Sequence, residues 1–426
     1  MKKIILIILL LVLVFYHIFP QALPLFGFTF IVASGAIGLI LYSAHRYPYG
    51  EVISIALPFF LLFGWTLFCM LINGGGDSYI MDISKSQVAW LFSAYFVIQI
   101  FFLVHPKGGL DKLLYYIIAA IVLQCVIAVA MFQDESIANF FNSIQKLDAV
   151  ALAKRAETEG RRLLGYGTAF FGAGIVCGIA MIFLIYIIMT KKLNMFQLLL
   201  AAFLYSGIFY VGLLMARTTM VGGAASLILA IILMFTRNTH KNQFFTYLLF
   251  SIILISLGYS LCYVYFPEFA DWAFEAFINY QETGEFRTKS SDGITAGMFA
   301  VPSDIFTWLF GTGRGHFMGV DVGYTRLLFW FGLPGTIIFF YFLYVSMKFA
   351  FTKNKAFNLT LITLFAYNMA LNIKGYSELN YICFLITFYF LYYKYYIYTP
   401  YLYRIGKLKK TELRDAIQTP ATGGGL

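Results

Sequence analysis

Long uninterrupted apolar runs recur from one end of this chain to the other, and no soluble fold can bury so many of them. A helix needs about twenty apolar residues to cross a bilayer. Runs of that kind fall at 3–19, 22–43, 52–73, 87–105, 112–132, 166–190, 195–215, 219–236, 244–266, 322–347, 356–373 and 379–398. Within hydrocarbon a helix satisfies its own backbone, and a barrel would need the polar–apolar alternation that these runs lack. The expected fold is an all-α polytopic membrane protein with about twelve transmembrane helices, forming a single integral membrane domain over 1–426.

Composition agrees with a lipid-facing surface. Only 12% of the residues are charged while 61% are hydrophobic, too little charge to cover a soluble protein of this size. The net charge of +10 is spread over short connections rather than gathered in one patch, which argues against nucleic acid as a partner. The five cysteines, Cys69, Cys125, Cys177, Cys262 and Cys383, all lie inside apolar runs and read as small buried hydrophobes. Met1-Lys2-Lys3 followed by an apolar run resembles a signal peptide. No small-residue cleavage site follows, so it is read as an uncleaved first span.

Lysine and arginine set the expected orientation. With the amino terminus in the cytoplasm, the inside connections carry Arg46, Lys107, Lys112, Lys191, Lys192, Arg237, Lys241, Lys348, Lys353 and Lys355, and the basic tail also falls inside. Two long loops, 133–165 and 267–321, then lie outside. Each carries a helical stripe: Ile137, Phe140, Phe141, Ile144 and Leu147 in the first, and Phe269, Trp272, Ala273, Ala276, Phe277 and Tyr280 in the second. Glu268, Asp271, Glu275 and Glu282 take the opposite face of the second, as in an amphipathic helix at a membrane surface.

Ionisable groups gather in the second long loop and at outer span ends, which favours chemistry at the outer membrane boundary over a route through the bilayer. Arg217 sits at a tight turn between two spans, where its planar fork suits phosphate oxygens or lipid headgroups. Gly222, Gly223 and Ala224 behind it permit close helix packing. The stretch 309–316, LFGTGRGH, offers glycines for a tight backbone beside a ligand, with Arg314 and His316, a general base or a solvated histidine. Asp321 is placed to cap the tenth span, Arg326 lies a turn deeper, and Pro334 is expected to kink that helix. No Asp-x-Asp pair and no zinc-type spacing occurs, so a metal-independent mechanism with no cofactor is expected, arginines alone stabilising a diphosphate leaving group.

Two stretches resemble a known family. Residues 310–340, FGTGRGHFMGVDVGYTRLLFWFGLPGTIIFF, are similar to the loop and following span of Wzy-type O-antigen and capsule polymerases. Residues 216–235, ARTTMVGGAASLILAIILMF, resemble the arginine-headed span of that group and of the related O-antigen ligases. The resemblance implies a GT-C-like glycosyltransferase in the bacterial inner membrane with both termini cytoplasmic. It would polymerise undecaprenyl-diphosphate-linked oligosaccharides on the outer leaflet, alongside a flippase and a chain-length regulator. By the same resemblance Arg217 and Arg326 would hold the diphosphate, with Arg314 and Arg287 as further candidates. Asp321 or His316 would activate the acceptor hydroxyl, and Tyr324 and Asp304 would line the site. A ligase acting on lipid A core and a flippase for lipid-linked sugars stay open as alternatives.

Overall fold

The structure is a computed structural model that describes residues 2–20, 30–44, 50–145, 162–167, 171–236, 239–265, 267–285, 287–288, 292, 299–315, 322–398 and 400. Among these the chain is helical throughout, with no β-strand. The helices are α1 (Lys2–Ile18), α2 (Phe30–Ala44), α3 (Glu51–Ile72), α4 (Ser78–Val104), α5 (Leu110–Gln133), α6 (Glu135–Ser143), α7 (Phe171–Thr190), α8 (Met195–Met215), α9 (Thr219–Met234), α10 (Lys241–Tyr265), α11 (Pro267–Thr283), α12 (Ile305–Phe310), α13 (Gly323–Lys348), α14 (Lys355–Leu371) and α15 (Asn380–Tyr392). A π-helical turn, Tyr393–Tyr398, continues α15. Seven of them, α3, α4, α5, α7, α8, α10 and α13, are long and apolar enough to cross a membrane. The chain is therefore an all-α, multi-pass membrane protein.

Burial orders the bundle. α7 is enclosed on all sides, with 89% of its apolar window buried, whereas α10 has only 17% buried and lies at the periphery. α7 packs against α5, α8, α9 and α14. Its glycines set the spacing: a Cβ at Gly222 of α9 would collide with the Gly178 backbone, and one at Gly178 with the Tyr367 hydroxyl of α14. The small residues behind Arg217 thus do serve a close helix crossing. All five cysteines are buried thiols.

Polar residues at helix starts explain several boundaries. Asp77 accepts from the Ile80 amide and starts α4, Asn194 and Gln197 form a reciprocal capping box on α8, and Asn354 caps α14. α4 therefore begins nine residues before the apolar run expected from 87. Its 27 residues extend ~40 Å against a hydrocarbon thickness of ~30 Å, so its polar first turns rise above the membrane boundary. At the opposite end of the bundle, Lys191 pairs with Asp111 at 2.6 Å, Gln243 Nε2 donates to the Lys191 carbonyl, and Lys394 pairs with the buried Glu51 at 2.9 Å. The connections expected on one side of the membrane are gathered there.

α13 is broken, and the break lies at Gly332 (φ 67°, ψ −177°), two residues before Pro334. Proline removes an amide and its ring clashes with the preceding turn, so carbonyls above it lose their helical donors. Each freed carbonyl in an apolar surround costs several kcal/mol unless recaptured (roughly). Recapture comes from other elements. Trp65 Nε1 donates to the Phe331 carbonyl at 2.7 Å, and Thr312 donates to the Phe329 carbonyl from its amide at 2.6 Å and from its hydroxyl at 3.0 Å. Gly311 (φ 64°) lets the 309–313 chain lie directly on the Trp330 and Gly332 backbone. The glycines of this stretch, expected to give room beside a ligand, are in contact with α3, α4 and α13 instead.

The surface helices form, with altered faces. α6 packs Ile137, Phe141 and Ile144 inward but leaves Phe140 exposed, and Leu147 lies outside the described residues. α11 docks on α8 and α10 through Phe269, Ala270, Ala273 and Phe274. That face is rotated from the expected stripe: Phe277 and Tyr280 are exposed, and Glu275, expected in solvent, turns toward the bundle. Asp321 was expected to cap α13; Val322 holds the N-cap position.

Candidate functional site

Two polar clusters form at one end of the bundle, and both abut the first turns of α7. Ala216 and Thr218 pack on Gly174, and Gly375 of the α14–α15 connection packs on Phe171.

The first cluster is built on Arg217. The turn between α8 and α9 presents it, and the Leu163 amide donates to the Leu214 carbonyl at 3.1 Å, holding Arg162 alongside. α11 supplies the counterpart. Both guanidiniums lie over the Trp272 ring, Arg162 at 4.5 Å and Arg217 at 5.0 Å, and Glu275 accepts a hydrogen bond and ion pair from Arg217. Arg217 and Glu275 each keep 18% of their side-chain surface accessible. Burial, and then the charge of Arg217 beside it, hold Arg162 below the usual arginine range. Two guanidiniums over one aromatic plate are a setting for a large, polarisable anion.

The second cluster surrounds Arg326 on the first turn of α13. The Tyr79 hydroxyl of α4 lies within electrostatic reach of Arg326, Glu378 and Asp77. Asp77 Oδ2 accepts from the Gly315 amide at 2.7 Å, and Trp330 Nε1 donates to the Gly315 carbonyl at 2.9 Å, so the glycine-rich stretch is pinned between α4 and α13. Below them is Glu378. Its Oε2 accepts from Gln87 Nε2 at 2.6 Å and from the Tyr376 hydroxyl at 2.8 Å, and Asn380 Nδ2 donates to Gln87 Oε1 at 3.1 Å. Burial dominates over these two hydrogen bonds and raises the Glu378 carboxyl to about 7. Burial and the nearby carboxylate likewise push the Tyr376 phenol well above its ordinary value.

The remaining expected residues are placed as follows. Arg287 is 61% exposed and tied to Glu285 and Asp292 of its own loop. Asp304 is an exposed N-cap of α12, and the Thr307 amide and hydroxyl donating to it hold its carboxyl below the usual range. Arg314 is exposed beside the second cluster. Tyr324 donates to the Met369 carbonyl at 2.8 Å and braces α13 on α14. His316 and Asp321 lie outside the described residues. Among the described residues no group of three His, Cys, Asp or Glu side chains has the arrangement to hold a metal ion.

Glu378, Gln87, Arg162 and the pairing of Trp272 with Arg217 were not singled out from the sequence. One signal was available for Glu378: it is an acid next to the start of an apolar run, the position that made Arg326 conspicuous. Arg162 carried no such mark, because only the fold brings it to Trp272. No family model matches the chain, and no curated protein and no solved structure matches it either.

Proposed function

We propose that this protein is a membrane glycosyltransferase that polymerises undecaprenyl-diphosphate-linked oligosaccharide repeats into a surface polysaccharide, O-antigen or capsule, on the outer leaflet. The single observation that carries the reading is the pair of arginine–aromatic clusters, Arg217 with Arg162 and Trp272, and Arg326 with Tyr79, set at one end of the bundle around the same turns of α7. In this reading the chain crosses the bacterial inner membrane about twelve times, with a GT-C-like arrangement and both termini cytoplasmic. The substrate reaches the site sideways from the bilayer, past the broken α13. The acceptor hydroxyl attacks the donor anomeric carbon. The diphosphate leaves, and guanidiniums fixed before the reaction stabilise its charge without reorganising. Arg217 and Arg326 are its primary holders, Arg162 joins them, and Arg314 stands at the edge. A flippase and a chain-length regulator are the partners that such a reaction calls for.

The transporter alternative is favoured by one observation. His17 is fully buried between Ser93 Oγ, at 3.0 Å, and the Tyr381 carbonyl, also at 3.0 Å, and Glu51 with Lys394 is buried at the far end. A glycan ladder assay separates the readings. Purified full-length protein in nanodiscs is given lipid-diphosphate repeat units from its own host and no other acceptor. A ladder spaced by one repeat establishes polymerisation, which neither a ligase nor a flippase performs alone. Authentic substrate, folded protein and no ladder would refute it, and ligation onto lipid A core would be assayed next.

A further inference from the structure

We propose that Glu378 is the catalytic residue that takes the proton from the acceptor hydroxyl, with Gln87 and Tyr376 as the positioning residues that aim its carboxylate. The proposal rests on the polymerase reading above and adds to it the residue that no motif marked.

The geometry separates Glu378 from the other buried acid. Glu51 is answered by a cation, Lys394 at 2.9 Å, and by the Tyr395 hydroxyl on both of its oxygens, at 3.0 and 2.9 Å. Such a carboxylate has both of its oxygens engaged by its partners. Glu378 is held by neutral donors only. Within the described residues both of its hydrogen bonds end on Oε2, which leaves Oε1 to a group from outside that set. Its side chain is packed among Tyr376, Gln87 and the α15 start yet is not sealed from solvent. Tyr376 from its own connection, Tyr79 from α4 and Tyr381 from α15 face it, and Tyr79 lies within electrostatic reach of Arg326 on α13 and of Asp77 ahead of α4 as well. The base therefore shares a neighbour, Tyr79, with one of the two arginines assigned to the diphosphate.

The step balances on the groups named. The acceptor O–H bond breaks and its proton passes to Glu378 Oε1. The freed electron pair of the oxygen forms the new bond to the anomeric carbon. The bond from that carbon to the diphosphate oxygen breaks, and its electron pair stays on the diphosphate beside the arginines. The proton then leaves Glu378 for the departing diphosphate or for water, restoring the carboxylate. A base works best with a pKa near the working pH, and burial has brought Glu378 to about 7.

The test uses full-length protein in nanodiscs with authentic repeat units and reads ladder rate against pH, together with binding of undecaprenyl diphosphate. Wild-type rate is expected to rise with pH and level off above about 7. Glu378→Gln is expected to lose at least ~100-fold in rate, the lower range for a positioned base, while binding undecaprenyl diphosphate as wild type does. Tyr376→Phe removes a hydrogen bond that favours the anion, so it is expected to keep a ladder and move the midpoint of the pH profile upward. If E378Q does not yield folded protein, the Y376F profile decides, because a merely structural tyrosine would not move a midpoint. Wild-type rate in folded E378Q, or an unmoved midpoint in Y376F, overturns the assignment while leaving the polymerase reading intact. Loss of the pH dependence in Asp321→Asn but not in E378Q assigns the proton to Asp321 and also overturns it. A wild-type protein that makes no ladder fails the polymerase reading itself, and the role of Glu378 falls with it.

Discussion

Around Arg217, two guanidiniums lie over the Trp272 ring, Arg162 and Arg217, and Arg217 is paired with Glu275. Glu275 occupies the position that an anionic ligand of Arg217 would take, so removing its charge and keeping its shape should strengthen anion binding. Glu275→Gln is expected to bind undecaprenyl diphosphate about tenfold more tightly, ~1.4 kcal/mol, and unchanged affinity in a binding titration would reject an anion site here. Arg217→Ala carries a second consequence. It removes the ion-pair partner of a mostly buried carboxylate, so its melting temperature should fall as its ladder disappears. Restoring stability with Arg217→Ala plus Glu275→Gln should not restore the ladder, because the guanidinium fork is still missing. Recovery of the ladder in the double variant would remove Arg217 from the chemistry.

At the scale of elements, the broken α13 is the part whose shape depends on its neighbours. Gly332 carries a left-handed φ that a side chain rarely adopts, and the Leu309 carbonyl occupies the space a Cβ would need. Gly332→Ala is expected to destabilise by more than ~2 kcal/mol and to loosen the 299–315 segment, read as faster proteolysis there. Trp65→Phe keeps an aromatic side chain but loses the donor to the Phe331 carbonyl at 2.7 Å, and should cost ~1–3 kcal/mol in thermal unfolding. Neither change touches the first cluster, so undecaprenyl diphosphate binding that depends on Arg217 should survive in protein that remains folded. The kink itself was legible from Pro334. Its position at Gly332, and the donors Trp65 and Thr312 that make it tolerable, were not, because those partners are distant along the chain.

The whole molecule couples pH to stability through Glu378. Its folded pKa of about 7 lies above the ordinary glutamate value of ~4.3, so between those values the folded state holds a proton that the unfolded chain has released. The stabilisation is complete below ~4.3 and is lost as pH rises through about 7. The melting temperature of wild type should therefore decline over that window, and E378Q should show a flatter profile; parallel profiles would contradict a raised carboxyl. Orientation is tested on the same scale. Thr283 on α11 and Lys353 ahead of α14 are both exposed, while the native cysteines are buried. Introduced as Thr283→Cys and Lys353→Cys, they are expected to react with an impermeant maleimide from opposite faces of the membrane, Thr283→Cys from outside. Labelling from one face would reject the proposed topology.

The apolar runs by themselves determined that this chain is helical and membrane-embedded, because hydrocarbon leaves a long apolar segment no other way to satisfy its backbone. Local chemistry also fixed the amphipathic character of α11 and the turn at Arg217. What faces what was decided only by tertiary packing. The rotation of α11 that brings Glu275 and Trp272 to Arg217, the placing of Arg162 beside them and the shell of neutral donors around Glu378 all join residues far apart in sequence. A sequence pattern of period 3.6 shows which face of a helix is apolar, but not which neighbour that face will meet. A carboxylate's burial, and therefore its pKa, is a property of that meeting rather than of the residues beside it in the chain.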